Sequence, residues 1–150
     1  MSEPIDGLHP GSSHIQQAAE SVMIGLLGEQ LGATLTSGHL QLEDGVVVQV
    51  DGVSLDPPIL VEAWARQGKP HGAQLHKIAS DALKLSAAGP AIGPRTRLIL
   101  LFADEQAAAP FRPGSWRGSA IRRLGIDVLL VEIPTELRNQ ITEAQRRQYR

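Results

Sequence analysis

Five short apolar segments, separated by turn signals and by stretches of helical periodicity, constrain the fold of this chain most strongly. Three of them follow one another directly: the alternating run His39–Leu42, the β-branched run Val46–Val53 and the apolar run Ile59–Ala65. Asp44-Gly45 is a strong hairpin signal between the first two. We expect Ser54–Pro58 to be a loop, because tandem prolines cannot continue a hydrogen-bonded ladder. The sheet therefore begins as a meander of three strands.

The other two apolar segments, Arg97–Ala103 and Ile126–Ile133, contain few polar residues, as expected of strands buried on both faces. Helical periodicity and capping residues predict helices over Ser13–Leu31, Ala73–Ala87, Ser115–Leu124 and Thr135–Tyr149. Gly89-Pro90 should end the second helix and Gly125 the third. The predicted order is α-β-β-β-α-β-α-β-α. It implies an α/β fold with a mixed sheet of about five strands and helices on both faces.

Length and composition fit one domain with a hydrophobic core, since the chain has 150 residues of which 42% are apolar. We expect residues 1–12 to form a flexible N-terminal arm and residues 13–150 a single domain. The absence of cysteine excludes disulfides and thiolate chemistry, and it fits a reducing cytoplasm. The first residues do not look like a signal peptide, and no apolar run reaches the roughly 18 residues of a membrane helix. We therefore expect a cytoplasmic protein with no membrane partner.

The charge of the chain is divided sharply along the sequence. Residues 1–65 hold nine acids and no lysine or arginine, whereas residues 66–150 hold all 14 basic residues and seven acids. The halves carry −9 and +7, which sum to the net charge of −2. Such a division suits a protein that holds a cation on one side and an anion on the other. Halves of a sequence need not be halves in space, so the division alone assigns no function.

Two acids interrupt the apolar strands of the meander. Asp51 lies near the end of the second strand and Glu62 within the third. A lone carboxylate there is costly to desolvate, whereas two on adjacent strands can share a divalent cation that offsets their repulsion. Oxygen ligands with open water positions suit Mg²⁺ or Mn²⁺, which can polarise a phosphate and generate hydroxide from bound water. The simpler interpretation is a solvent-exposed sheet end, where acids cost little.

This order of elements, with an Asp on the second strand and a Glu on the third, resembles the PD-(D/E)XK nuclease superfamily with its restriction endonuclease-like fold. The resemblance covers roughly Ser13–Ile133. It implies that Asp51 and Glu62 bind Mg²⁺ or Mn²⁺ and that the chain hydrolyses phosphodiester bonds of nucleic acid, with DNA the expected substrate. In the family, a lysine two residues after the second acid orients or activates the attacking water, since positions i and i+2 share a strand face. Trp64 occupies that position here, and Val50 replaces the motif's proline.

Some members of the superfamily carry the lysine on the following helix. Gln74 and Lys77 are similar to the Gln-x-x-Lys signature found there. Their spacing puts both residues on one helix face, which Asp81 and Lys84 continue. The resemblance thus implies that Lys77 replaces the missing lysine and that Gln74 positions water or phosphate. The alternative is that these residues form the ordinary wet side of an amphipathic helix.

Residues of the first and third helices complete the expected site. An acid on the first helix sometimes adds to the metal site in this superfamily, and Glu20 is the better candidate here, with Glu29 as the alternative. Arg117, Arg122 and Arg123 are expected to contact nucleic-acid phosphates, unless they only form a solvated helix face. Such a small domain has little surface for base readout. We therefore expect a homodimer or association with a larger system.

Two other functions stay open at this point. Trp64 in the lysine position, the acidic net charge and the few lysines also fit a catalytically inactive descendant of the fold that serves as an interaction or regulatory module. An unrelated small α/β binding domain is the third possibility, and it predicts that the side chains of Asp51 and Glu62 do not converge. The sequence contains no Walker A loop, dinucleotide fingerprint or Gly-x-Ser-x-Gly elbow, which argues against those nucleotide-binding and hydrolase classes.

Overall fold

A five-stranded sheet with helices on both faces forms the fold, as shown by a computed structural model that describes residues 10–148. The strands are β1 (Thr36–Gln41), β2 (Val47–Leu55), β3 (Pro58–Trp64), β4 (Arg97–Phe102) and β5 (Ile126–Leu130). The helices are α1 (Pro10–Leu31), α2 (Gly72–Ile92), α3 (Glu105–Ala108), α4 (Trp116–Arg123) and α5 (Thr135–Gln148), and a 3₁₀ turn covers Ala109–Phe111. Within the described part of the chain, none of the helices combines the length and apolar character that a membrane span requires.

The sheet is mixed, with the strands in the order β1-β2-β3-β4-β5. The first three pair antiparallel, whereas β3 with β4 and β4 with β5 pair parallel. The predicted α/β fold with a mixed five-stranded sheet is therefore confirmed. Because β3, β4 and β5 run in one direction, their carboxyl ends lie at the same border of the sheet, which we call the carboxyl edge.

Two hydrophobic cores bury the two faces of the sheet. Helices cover both faces, as predicted: α1 and α5 pack on one face, and α2 and α4 pack on the other. The central strand β3 contributes to both: Val61 lies in the first core, whereas Leu60 and Trp64 pack in the second. This alternation puts Glu62 on the face covered by α2. The second acid of the motif is thus in the middle of the sheet and beneath a helix.

Both turns of the meander are tight. The predicted Asp44-Gly45 hairpin is confirmed, with Gly45 at a φ of 91°, in the left-handed region that glycine favours. The predicted loop over Ser54–Pro58 is wrong in extent, because β2 continues to Leu55 and Pro58 pairs with it. A proline is compatible with the first position of a strand. Only two residues are therefore left for the turn between β2 and β3.

The second helix is longer than predicted. Gly89-Pro90 does not end α2, which continues to Ile92. A Cβ at position 89 would lie 3.1 Å from the Leu98 side chain, so glycine lets the helix pack closely against β4 there. The Thr96 hydroxyl donates to the Gly89 carbonyl at 2.9 Å, and the exposed proline removes only one amide donor near the helix end.

Other boundaries also differ from the predictions. β5 ends at Leu130 instead of Ile133, because Leu130 pairs with the last residue of β4 and no partner strand is left beyond it. The helix α3 and the 3₁₀ turn after β4 were not predicted. α1 begins at Pro10, so the end of the predicted arm is helical. The rest of that arm, residues 1–9, and the predicted helix end at Tyr149 lie outside the described residues.

Candidate functional site

A cleft of about 840 Å³ opens between α1 and α2, over the carboxyl end of β3. α1 contributes a polar face whose spacing of three and four residues matches one side of a helix: Ser13, Gln16, Gln17 and Glu20. α2 contributes a second such face: Gln74, Lys77, Asp81 and Lys84. The strands contribute Asp51, Glu62 and Trp64. Acids from the first half of the chain thus meet cations from the second half in this cleft.

Asp51 lies at a β-bulge in β2. Thr36 pairs with Val53 and Gly38 with Val50, so β2 holds one residue more than β1 over this stretch. Val50 and Val53 consequently both pack in the core beneath α2. In a regular strand, two residues three positions apart would point to opposite faces of the sheet. The bulge changes the direction of the side chains between them. Such bulges often occur next to functional sites, where they re-aim a side chain.

The Asp51 carboxylate is held by the backbone of the neighbouring strand. Its Oδ2 accepts a hydrogen bond from the Ala63 amide at 2.8 Å. The regular pairing of β2 with β3 reaches only to Gly52, so the carboxylate supplies an acceptor for the amide of the next segment of β3. Gly52 also lets α1 approach, because a Cβ there would lie 3.0 Å from Ile24 Cδ1. Backbone pairing and helix packing therefore fix the first acid together.

Glu62 is almost fully buried, at 4% exposure, and it has two charged neighbours. The Lys84 ammonium group is in contact with its Oε1, and a side-chain hydrogen bond joins Glu62 to Asp51. An unpartnered buried carboxylate would be strongly unfavourable, and the lysine offsets that cost. The two acids thus converge. The expectation that they stay apart, which belongs to the unrelated binding domain, is wrong.

Burial is the main reason for the high pKa of Glu62, which is raised to about 8. The hydrogen bond and the negative charge of Asp51 raise the pKa further, whereas Lys84 lowers it. Near neutral pH the Glu62 carboxyl therefore keeps a proton that it can donate to Asp51. A cation bound between the two acids would have to displace this proton.

Glu20 belongs to the same electrostatic environment. Burial and the negative charges of Asp51 and Asp81 raise its pKa to about 8, against the opposite effect of Lys77. However, no three His, Cys, Asp or Glu side chains within residues 10–148 form a group that could hold a metal ion. Glu20 therefore lines the cleft without completing a three-acid cluster, and its role as a metal ligand stays a prediction.

Two lysines of α2 line the cleft, and they contact different acids, so the expected role of Lys77 in place of the motif lysine stays a prediction. The Lys77 ammonium group pairs with Asp81 at 2.7 Å, and 61% of its side chain is exposed. Burial lowers its pKa, but the hydrogen bond and charge of Asp81 and the charges of Glu62 and Asp51 raise it overall. Lys84, two helical turns further along the same face, is the lysine in contact with Glu62. Its position at the end of the Gln74–Lys84 face was the available signal.

Gln74 lines the cleft but also serves the start of α2. Its Oε1 accepts a hydrogen bond from the His71 amide at 3.0 Å, which satisfies a backbone donor at the N-terminus of the helix. This contact explains the position of the side chain without any ligand. The expected role of Gln74 in positioning water or phosphate stays a prediction.

Three buried N–H groups of cleft residues have no hydrogen-bond partner within the described residues. They are Trp64 Nε1, Gln16 Nε2 and Gln148 Nε2. Unpaired buried donors are uncommon and unfavourable, so they favour a ligand that carries acceptors. Gln148 Oε1 already accepts from Arg66, another cleft residue, at 2.9 Å. Sequence reasoning missed Gln16 and Gln148, because only the packing of α1 and α5 brings these residues to the cleft, and it also missed Arg66, which lies just after β3.

The loop that joins β3 to α2 is held by α5. The Gln67 amide donates to Gln145 Oε1 at 2.7 Å, and Gln145 Nε2 donates back to the Gln67 carbonyl at 2.9 Å. The Gly68 amide donates to Asp104 Oδ2 at 2.7 Å. These contacts fix the loop between the strand that carries Glu62 and the helix that carries Lys84. They therefore support the relative position of the two charged groups.

The predicted nucleic-acid contacts lie apart from the cleft. Arg117, Arg122 and Arg123 belong to α4 and do not line the cleft.

No family model matches the chain, and no curated protein matches it in sequence. A functional assignment therefore depends on the geometry of the cleft and on the resemblance carried by Asp51 and Glu62.

Proposed function

We propose that the cleft is the active site of a metal-dependent nuclease of the PD-(D/E)XK type, with a restriction endonuclease-like fold, that hydrolyses phosphodiester bonds in DNA. The convergence of Asp51, Glu62 and Lys84 over the carboxyl end of β3 carries the proposal. The two acids come from the second and third strands and the lysine from the following helix. These are the elements on which the family carries its acid pair and, in some members, its lysine.

The donor set of the cleft fits Mg²⁺ or Mn²⁺. Mg²⁺ is commonly held by one or two carboxylates, with waters and substrate phosphates in the other positions, so Asp51 and Glu62 suffice as its protein ligands. Glu20 offers a further carboxylate from α1 in the same cleft. When bound, the ion would polarise the scissile phosphate and lower the pKa of a coordinated water. Mutual repulsion and burial disfavour two ionised carboxylates here, and a bound cation removes both penalties.

The other cleft residues have roles that follow from their charge and position. Lys84 lies against Glu62, where its ammonium group orients that carboxylate and stabilises negative charge that develops on a phosphate. Lys77 and Arg66 add positive charge to the walls of the cleft and hold the phosphates that flank the scissile bond. The free N–H groups of Trp64 and Gln16 donate to oxygen atoms of the substrate.

A catalytically inactive interaction module is the second candidate. It is favoured by Trp64 in the motif's lysine position and by the lack of a three-acid metal group in the described part of the chain. In that case, the contact of Lys84 with Glu62 replaces a metal ion permanently and stabilises the fold. This candidate predicts no binding of Mg²⁺ or Mn²⁺ and no cleavage.

A cleavage assay with Mg²⁺ or Mn²⁺ on duplex and single-stranded DNA tests the proposed function. We expect cleavage that EDTA abolishes and that Asp51→Asn and Glu62→Gln each reduce by at least about 100-fold, since each removes one of two ligand charges. Asp127→Asn is the matched control, because Asp127 is exposed on β5 and pairs with Arg97 outside the cleft. Its activity should equal that of the wild type. Absence of cleavage with both metals, or full activity of Asp51→Asn, would contradict the proposal.

A further inference from the structure

An exposed tryptophan on α4 plays no part in the proposed chemistry of the cleft. Trp116 is 72% exposed, whereas Phe102 and Phe111 stack on each other in the core. Trp116 belongs to neither of the two hydrophobic cores of the described residues. The Arg117 guanidinium lies over the indole ring, 4.7 Å from its centroid, and covers one of its faces. The other face is left open to a flat group.

The three arginines of α4, unlike three other arginines of the protein, have no acidic partner within the described residues. Arg117, Arg122 and Arg123 form no ion pair within residues 10–148, whereas Arg97 and Arg112 each pair with an acid. α4 itself contains no acidic residue. The helix therefore presents uncompensated positive charge on a protein whose net charge is −2, which favours an anionic ligand at this surface.

Helical geometry arranges these side chains around the tryptophan. Ile121 is buried in the core beneath the sheet, and Gly118 is buried against the backbone of Arg112. Trp116 and Arg123 are seven residues apart, which is about two turns, so both lie on the outward face at a separation of about 10 Å along the axis. We call the surface formed by Trp116, Arg117, Arg122 and Arg123 the α4 surface. It combines one open aromatic face with three cations.

The topology places the Trp116 end of this surface toward the carboxyl edge of the sheet, where the cleft also lies. β3 and β4 are parallel, so the chain leaves β4 at the carboxyl edge, where the end of β3 carries the acid site. α4 follows β4 and must run back toward the start of β5 at the opposite edge. Trp116, at the first residue of α4, therefore lies toward the carboxyl edge. The cleft and Trp116 therefore lie toward the same edge of the sheet.

We propose that the α4 surface anchors single-stranded DNA, with a base stacked on Trp116 and the backbone phosphates bound by Arg117, Arg122 and Arg123. Stacking on an aromatic side chain requires a base that is not already stacked within a duplex, and cations at the same surface track the backbone. The inference rests on the proposed function for the choice of DNA. It extends that function by making single strands, or the unpaired ends of duplexes, the substrate class.

Binding measured in EDTA tests the anchoring without any contribution from cleavage. A labelled single-stranded oligothymidylate, a duplex of equal length and heparin are titrated with the protein and followed by fluorescence anisotropy. We expect tighter binding of the single strand than of the duplex. Trp116→Ala should weaken binding of the single strand between about fivefold and a hundredfold, the range for loss of one stacked base, whereas Trp116→Phe retains most of it.

Leu55→Ala is the matched control, because Leu55 is as exposed as Trp116 but lies at the end of β2. Its affinity for the single strand should be unchanged, and thermal unfolding should show that both variants stay folded. Three results would each overturn the inference. The single strand could bind Trp116→Ala as tightly as wild type, the wild type could bind single strand and duplex equally, or Trp116→Ala could lose heparin binding to the same extent. Loss of cleavage with intact Trp116-dependent binding would instead count against the proposed function alone.

Discussion

The Lys84 ammonium group contacts the Glu62 carboxyl group and thereby joins α2 to the central strand of the sheet. This contact gives the buried acid a cationic partner from a neighbouring helix, although Trp64 occupies the strand position in which the resembled family carries its lysine. The arrangement makes Lys84 the positioning residue of the proposed site. Lys77, on the same helix face, pairs with Asp81 instead.

Replacing each of the two lysines by methionine in turn distinguishes their roles. Lys84→Met should lower the rate of Mn²⁺-dependent cleavage by about 100-fold or more, because it removes a cation from beside the reacting phosphate. Lys77→Met, the matched variant, should lower it less than about tenfold, since its largely exposed ammonium group only adds charge to the cleft wall. Steady-state rates at saturating DNA measure both effects. A larger loss for Lys77→Met would assign the missing lysine to the residue that the sequence predicted.

The stability of the metal-free protein should fall as the pH rises from about 5 to 8. The pKa of Glu62 is raised from 4.5 to about 8, so the folded protein holds a proton that the unfolded chain releases in this range. Stability from this group is complete below the unfolded pKa and is lost as the pH rises through the folded pKa. Glu62→Gln removes the titration, although Glu20 continues to contribute because its pKa is also raised.

Denaturant unfolding in EDTA at several pH values measures this dependence. The loss of stability between pH 5 and pH 8 should be smaller in Glu62→Gln by about 2 kcal/mol or more, given about 1.4 kcal/mol per pKa unit. Glu136→Gln, an exposed acid in the first turn of α5, should leave the dependence as in the wild type. A wild-type protein that is equally stable at pH 5 and pH 8 would contradict the environment assigned to Glu62.

Gly52 should be required both for stability and for the position of Asp51. A Cβ at this position would lie 3.0 Å from Ile24 Cδ1, so Gly52→Ala should destabilise the fold by about 1–3 kcal/mol and weaken Mn²⁺ binding. Ile24→Val shortens the opposing side chain and should restore part of the loss in the double variant. Gly72→Ala is the control, since a Cβ at Gly72 meets no atom within 4 Å. Equal stabilities of Gly52→Ala and wild type would show that α1 does not constrain the bulge.

Much of the fold follows from local patterns that the sequence displays directly. The hairpin at Asp44-Gly45 and the strands β4 and β5 were predicted because turn residues and apolar runs depend little on the rest of the chain. The prediction that β5 is buried on both faces is wrong, because β5 is the edge strand of the sheet and is mostly half-buried. The extension of α2 past Gly89-Pro90 was not predicted, because it depends on a close contact with Leu98 across the core. Local helix-breaking signals are overridden where tertiary packing favours continuation.

The acid pair was predictable, but the rest of the cleft was not. Asp51 and Glu62 stand out as charges in apolar strands, whereas the bulge at Asp51 depends on how β2 pairs with β1. Lys77 and Lys84 share a helix face, so only the placement of α2 along β3 decides which of them reaches Glu62. Gln148 enters the cleft from the last helix, which no sequence spacing relates to β3.

Titration of Mn²⁺ into the protein by calorimetry, at pH 6 and at pH 8, tests most directly whether Asp51 and Glu62 hold a divalent cation. We predict saturable binding that is tighter at pH 8, because the cation displaces the proton of Glu62. Asp51→Asn and Glu62→Gln should each abolish this binding, whereas Asp127→Asn should leave it unchanged. Absence of binding by the wild-type protein at millimolar Mn²⁺, or unchanged binding in Glu62→Gln, would contradict the assignment of this cleft as a metal-dependent active site.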